Sequence, residues 1–278
     1  MYRKRPSQLT AAQTDLPDQG QLQVIASSAE AVPIQDAAVD ISYTGEPDRL
    51  LEEVYTDSSG RTQILDLDAP PVEYSLNPGE VQPYSEYTIR VSAPGYETIT
   101  VSGSEILSSQ LSIQRVFLRP SETNQPPDTV IIPDHTLYGN YPPKIAEDEI
   151  KPINLSGEIV LSQVVVPEYV IVHDGTPSDT TAGDYYVRYR DYIKNVASSE
   201  IYATWPRETL LANILAIQSF TLNRVYTEWY RNQGYNFTIT SSTAFDQKWI
   251  YGRNIFESIS QVVDEIFDNY LSRPGVRQ

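Results

Sequence analysis

The residues best placed to do chemistry lie between Arg190 and Asn223, in the run RDYIKNVASSEIYATWPRETLLANILAIQSFTLN. The run reads as a helix, a sharp turn and a long helix, with Glu200 at the turn. A carboxyl at a helix end beside aromatic side chains, here Tyr202 and Trp205, can hold a raised pKa and act as a general acid. On the residues alone, a solvated glutamate at a helix end is the other reading of Glu200.

A second polar stretch, Thr240-Ser241-Ser242-Thr243-Ala244-Phe245-Asp246-Gln247, offers hydroxyls, one amide and one carboxylate. Such a loop either binds a polar ligand or caps its own backbone. Asp246 is a candidate second carboxylate. His135 and His173 are the chain's two histidines, and neither has acidic or thiol neighbours at metal-ligand spacing. His173-Asp174 follows a β-rich run and could face a cleft. Gly-x-Ser-x-Gly, P-loop and His-Glu-x-x-His patterns are absent, so no cofactor is expected.

Composition narrows the partners. The net charge is −17, with 20 Lys and Arg against 37 Asp and Glu. The acidity is spread over both halves of the chain, which argues against nucleic acid, because phosphate binding needs clustered cations. No apolar stretch approaches the length of a membrane span. The chain has no cysteine, which excludes disulfides and thiolate metal sites. The start MYRKRPSQLTAAQTD has basic residues without an apolar segment behind them, so no secretory leader is expected.

The elements that must position these residues fall into two regions. Residues 1–19 are polar and predict a flexible tail. From 20 to 120 the signals are strand and turn, with LQVIAS, AAVDISYT, SEYTIRVS and SIQRVFLRP as β-rich runs and Asp57-Ser58-Ser59-Gly60 as a turn. About seven short strands in about 100 residues predict an all-β sandwich. Residues 121–157 read as a proline-rich linker. Residues 158–278 predict a mixed α/β domain: β-branched runs IVLSQVVV and YVIV, a helix from Asp191 to about Ser199, a long helix capped by Thr204 and stopped by Gly234, and a last helix opened by a capping box of Asn254 and Glu257.

Two resemblances attach to these regions. Pro33-Ile34, Asp36-Ala37, Thr56-Asp57, Gly60 and Tyr87 to Tyr96 resemble the carboxypeptidase-regulatory-like modules, which are usually non-catalytic. Tyr192, Ile193, Val196, Glu200, Trp205, Pro206, Glu208, Leu210, Ala212, Ala216 and Leu222 resemble the motif of the SpoIID/LytB family of peptidoglycan lytic transglycosylases. That resemblance implies a SpoIID-like domain over 158–278 with Glu200 as its catalytic glutamate. One carboxylate suffices for such an enzyme, because the substrate's own 6-hydroxyl attacks the anomeric carbon.

The resemblance also implies that Tyr202, Trp205, Ser241, Ser242, Thr243, Asp246 and Gln247 contact the glycan. The family's cysteine and histidine metal ligands are replaced here by Ser241, Phe245 and Asp246, so no zinc is expected. Gln218 stands where the family usually has arginine, with Arg224 and Asn213 as possible substitutes.

The combination of sandwich, linker and SpoIID-like region further resembles the SleC-type spore cortex-lytic enzymes. This implies a precursor in the spore, made in the mother cell, whose substrate is cortex peptidoglycan with muramic-δ-lactam. It also implies activation at germination by a subtilisin-like Csp protease that cuts in the linker and removes the sandwich as a pro-region. Such enzymes usually continue into a peptidoglycan-binding repeat, which is not found here. The competing reading is a non-catalytic, glycan-binding or spore-assembly protein on the same scaffold.

Overall fold

A computed structural model describes residues 18–121, 128–137 and 161–272. The expected tail lies almost wholly outside these residues, as does most of the expected linker. The chain is mixed α/β, with several sheets and few helices, and divides into two compact units.

Unit 1 holds the described residues up to Leu137, together with Tyr202–Trp205 and Tyr251–Ser258. Its first seven strands are β1 (Asp18–Ser28), β2 (Ala38–Tyr43), β3 (Leu50–Tyr55), β4 (Leu65–Ala69), β5 (Tyr84–Ser92), β6 (Ile99–Leu107) and β7 (Leu111–Leu118). Alternation builds them: in β1, Leu22, Val24 and Ala26 are fully buried, while the residues between them are more exposed. The helix α1 (Glu73–Leu76), the strand β8 (Asp128–Ile131) and the two-residue strand β12 (Ile255–Phe256) complete the unit.

One sheet has the order β12-β7-β1-β4 and the other β3-β2-β5-β6-β8. Both contribute to one core that includes Leu22, Val24, Ile41, Ile89, Val101 and Leu118, so the predicted sandwich is present. The predicted turn at 57–60 is also present. Asp57 Oδ1 accepts from the Ser59 and Arg61 backbone N–H groups at 2.8 and 3.0 Å. Gly60 has φ +74, a conformation that favours glycine.

Unit 2 holds the other described residues. Its sheet has the order β10-β9-β11, with β9 (Tyr169–His173) antiparallel to β10 (Asp184–Arg188) and parallel to β11 (Ile239–Thr240). Its helices are α2 (Tyr189–Glu200), α3 (Arg207–Tyr226) and α4 (Glu257–Ile266), of which the last begins in unit 1.

Local predictions differ in five places. Strand β8 lies within the expected linker and pairs in parallel with β6, so it belongs to the sandwich. The described part of IVLSQVVV forms no strand, and β9 starts only at Tyr169, after Pro167. Thr204 does not cap α3: the cap position is Pro206, and the Thr204 hydroxyl donates to Ser75 Oγ at 2.7 Å. Gly234, at φ +88, closes a short 3-10 turn at Arg231–Gln233 and not α3. The Asn254 amide bonds Glu105 on β6 and Ser112 on β7 and makes no capping box.

Candidate functional site

Helix α2 presents Tyr189, Tyr192, Ile193 and Val196 inward at helical spacing, and all four are buried. Glu200 continues that face one turn beyond Val196 and ends the helix. This periodicity brings its side chain part-way into the unit, where it is half-buried. The helix stops there because Ile201 turns extended, at φ −136 and ψ 154. One carboxylate oxygen, Glu200 Oε1, accepts the Lys248 backbone N–H at 2.8 Å.

The stretch that supplies this N–H is held firmly. Asn195, one turn earlier on α2, donates from Nδ2 to the Ile250 carbonyl at 2.7 Å, and its Oδ1 accepts from the Ile250 N–H at 2.9 Å. Gln247 is buried. Its Oε1 accepts from the Tyr192 hydroxyl at 3.2 Å and the Thr221 hydroxyl at 2.8 Å, and its Nε2 donates to the Ile217 carbonyl at 2.9 Å. Gln247 therefore ties the loop to α2 and α3 and has no amide group left at the surface. Burial pushes the Tyr192 hydroxyl pKa up, reinforced by the negative charges of Asp246 and Glu200.

Asp246 is 2 % exposed. Its Oδ1 accepts from Arg224 Nε at 2.7 Å. Its Oδ2 accepts from the Tyr230 hydroxyl at 2.6 Å and from the N–H and hydroxyl of Thr240 at 2.9 and 2.6 Å. Arg224 also donates to the Phe245 carbonyl and lies over the rings of Phe220 and Trp229. This is a closed, hydrogen-bonded ion pair, and it accounts for a carboxylate in the loop without a catalytic role.

Ser241, Ser242 and Thr243 are half-buried on the turn before Asp246. Ser241 Oγ donates to Asp174 Oδ1 at 2.8 Å, and the Ser242 carbonyl accepts the Asp246 N–H at 2.7 Å. His173 is buried on β9, where its Nδ1 lies 2.7 Å from Asp184 Oδ1 and its ring stacks on Phe237 at 4.4 Å. Gln218, in the motif's usual arginine position, donates to the carbonyls of Ile266 and Asn269 and secures the end of α4. Arg224 is committed to Asp246, and Asn213 Nδ2 donates within its own helix to the Thr209 carbonyl at 2.8 Å.

Tyr202 and Trp205 belong to unit 1. Tyr202 is 2 % exposed and packs against His135 at 4.8 Å, so it has no open face for a sugar ring. Trp205 Nε1 donates to the Ser75 carbonyl at 2.9 Å. The aromatic pair that the resemblance implied for glycan contact thus helps to build unit 1. Asn195 and the Lys248 N–H were not singled out from sequence. An asparagine inside a helix, where it is unfavourable without a partner, is the signal that could have found Asn195.

Among the described residues, no group of three or more His, Cys, Asp or Glu is placed to hold a metal ion. No helix among them is long and apolar enough to cross a membrane.

No family model and no curated protein matches the sequence. Solved structures match in part. The TIE protein of Bacillus anthracis is 12% identical, with a TM-score of 0.26, over 37% of this chain and 17% of that one. The minor pilin GBS52 of Streptococcus agalactiae is 12% identical, with a TM-score of 0.26, over 40% of this chain and 49% of that one. The 3-chlorocatechol 1,2-dioxygenase of Rhodococcus opacus 1CP is 11% identical, with a TM-score of 0.27, over 38% and 61%. The chain spans less than two thirds of each of these structures.

Proposed function

We propose that unit 2 is a SpoIID-like catalytic domain that cleaves peptidoglycan as a lytic transglycosylase, with Glu200 as its general acid and then its base. Of the two carboxylates that the motif and loop nominate, Asp246 is sealed in its pair with Arg224, and Glu200 remains half-buried at a helix end. That division is the observation that carries the reading. A hydrolase of the usual kind needs two working carboxylates, whereas a transglycosylase needs one.

In this mechanism the Glu200 carboxyl gives its proton to the oxygen that leaves from the MurNAc anomeric carbon, and the MurNAc–GlcNAc bond breaks. The resulting carboxylate takes the proton of the MurNAc 6-hydroxyl, whose oxygen bonds to the anomeric carbon. A 1,6-anhydro end forms, and Glu200 is again protonated. The Lys248 N–H holds one carboxylate oxygen and so fixes the direction of the other. The hydroxyls of Ser242 and Thr243, half-buried on the turn before Asp246, are suited to sugar hydroxyl or acetamido contacts.

On the SleC-type resemblance, the setting is the spore cortex during germination, with the chain as a precursor activated by a subtilisin-like protease. The test is digestion of purified cortex peptidoglycan, with products read by mass spectrometry. Products ending in 1,6-anhydromuramic acid support the reading. Reducing ends would point to hydrolysis by water, and glycan bound without products would leave the non-catalytic binding module.

A further inference from the structure

Unit 1 is made from three separate stretches of chain, and the last adds a strand and a buried ion pair to its sandwich. β12 adds to the edge of β7 in antiparallel register, Ile255 opposite Ile113 and Phe256 opposite Ser112, and Phe256 is fully buried. Beside it, the Asn254 side chain acts like a strand residue: Oδ1 accepts from the Glu105 N–H at 3.1 Å, and Nδ2 donates to the Glu105 carbonyl at 2.9 Å. Gln114 Nε2 donates to the Gly252 carbonyl at 2.9 Å, and Ser258 Oγ donates to Gln110 Oε1 at 2.7 Å. The Arg253 guanidinium meets the Glu105 carboxylate with both side chains at or below 1 % exposure.

We infer that residues 251–258 are the permanent edge strand of the N-terminal sandwich, so that cutting the chain between the sandwich and unit 2 does not release the N-terminal fragment. Without this strand, the buried Glu105 carboxylate loses its guanidinium and keeps only His135 Nδ1, at 3.1 Å, of its two cationic neighbours. Its backbone N–H loses the Asn254 acceptor, and its carbonyl keeps the Ser112 hydroxyl but loses the Asn254 amide. Groups of that kind are strongly disfavoured when left buried and unpaired. Strand addition provides main-chain pairing, and Arg253 and Phe256 provide side-chain anchoring. The inference does not depend on glycan cleavage. Joined to that reading, it means that proteolysis alone nicks the precursor and leaves the sandwich in place.

The test uses the full chain with a specific protease site inserted between Ile150 and Lys151, cut to completion. The two fragments are expected to co-elute on native gel filtration near the 31.3 kDa of the intact chain, in 1 M salt as in low salt, and to separate only in denaturant. Amide exchange at Glu105 should stay as slow after cutting as before. Arg253→Met, with the uncut chain checked for folding, should raise the fragment dissociation constant at least tenfold. Separate elution of the wild-type fragments overturns the inference. So does co-elution with a freely exchanging Glu105 amide, which would place retention elsewhere. Elution and exchange need no glycan, so this test can fail while the activity test succeeds, and the reverse.

Discussion

Arg224 Nε donates to Asp246 Oδ1 at 2.7 Å, and neither residue is more than 2 % exposed. Removing one partner leaves the other charge buried alone. Asp246→Asn is therefore expected to destabilise the protein by about 3–5 kcal/mol. A double variant that also carries Arg224→Met should be less destabilised than the sum of the single changes. Urea denaturation of the four proteins checks this. An Asp246→Asn protein of normal stability that has lost turnover would return Asp246 to the catalytic role.

Asn195→Ala removes both hydrogen bonds to Ile250 and leaves that backbone pair unsatisfied. The expected loss is about 2 kcal/mol of stability, on the order of 1 kcal/mol per hydrogen bond. Because Lys248 is two residues away and orients Glu200, turnover of soluble glycan should also fall, with KM changed less than kcat. Unchanged kcat in a folded variant would separate the Asn195 bracket from the site.

Glu86 and Glu105 face each other across β5 and β6. Arg253 and His135 hold the Glu105 carboxyl below its ordinary value despite burial. Burial pushes Glu86 up to about 7, with the charges of Asp134 and Glu105 adding to the shift. A carboxyl raised in the fold is bound to its proton more tightly there than in the unfolded chain. Its contribution to stability is thus full below about pH 4.5 and is lost as pH rises towards 7. Allowing for partial solvent screening, the loss is on the order of 2 kcal/mol. Glu86→Gln should flatten that part of the stability–pH curve; an unchanged curve would contradict the shift.

The sandwich was legible in the sequence because β1, β4 and β7 alternate and the turns carry the residues that turns need, as at Asp57 and Gly60. Helix α2 was legible as a short helix from Asp191 to about Ser199 with Glu200 at the turn; the structure extends it over Tyr189–Glu200. The assembly of unit 1 was not. Asn254 looks like a helix cap, and Tyr202 and Trp205 look like the aromatic setting of the Glu200 carboxyl, when only the short run around each is considered. Their partners, Glu105, His135 and Ser75, lie tens of residues or more away in sequence, and a local pattern holds no information about such pairs. The same distance hides Asp246 from its partner Arg224: a loop carboxylate reads as available until the guanidinium from α3 is placed against it.

The most direct measurement compares wild type, Glu200→Gln and Asp246→Asn on purified cortex peptidoglycan, with anhydro-ended products quantified by mass spectrometry and stability followed in parallel. The glutamine amide oxygen can still accept the Lys248 N–H, so Glu200→Gln should match wild type in melting temperature and glycan binding while product formation falls by at least about a hundredfold, in keeping with loss of a proton-transfer group that supplies on the order of 10²–10⁴. Anhydro-ended products from Glu200→Gln at a rate near that of wild type would contradict the assignment of Glu200 as the acid and base.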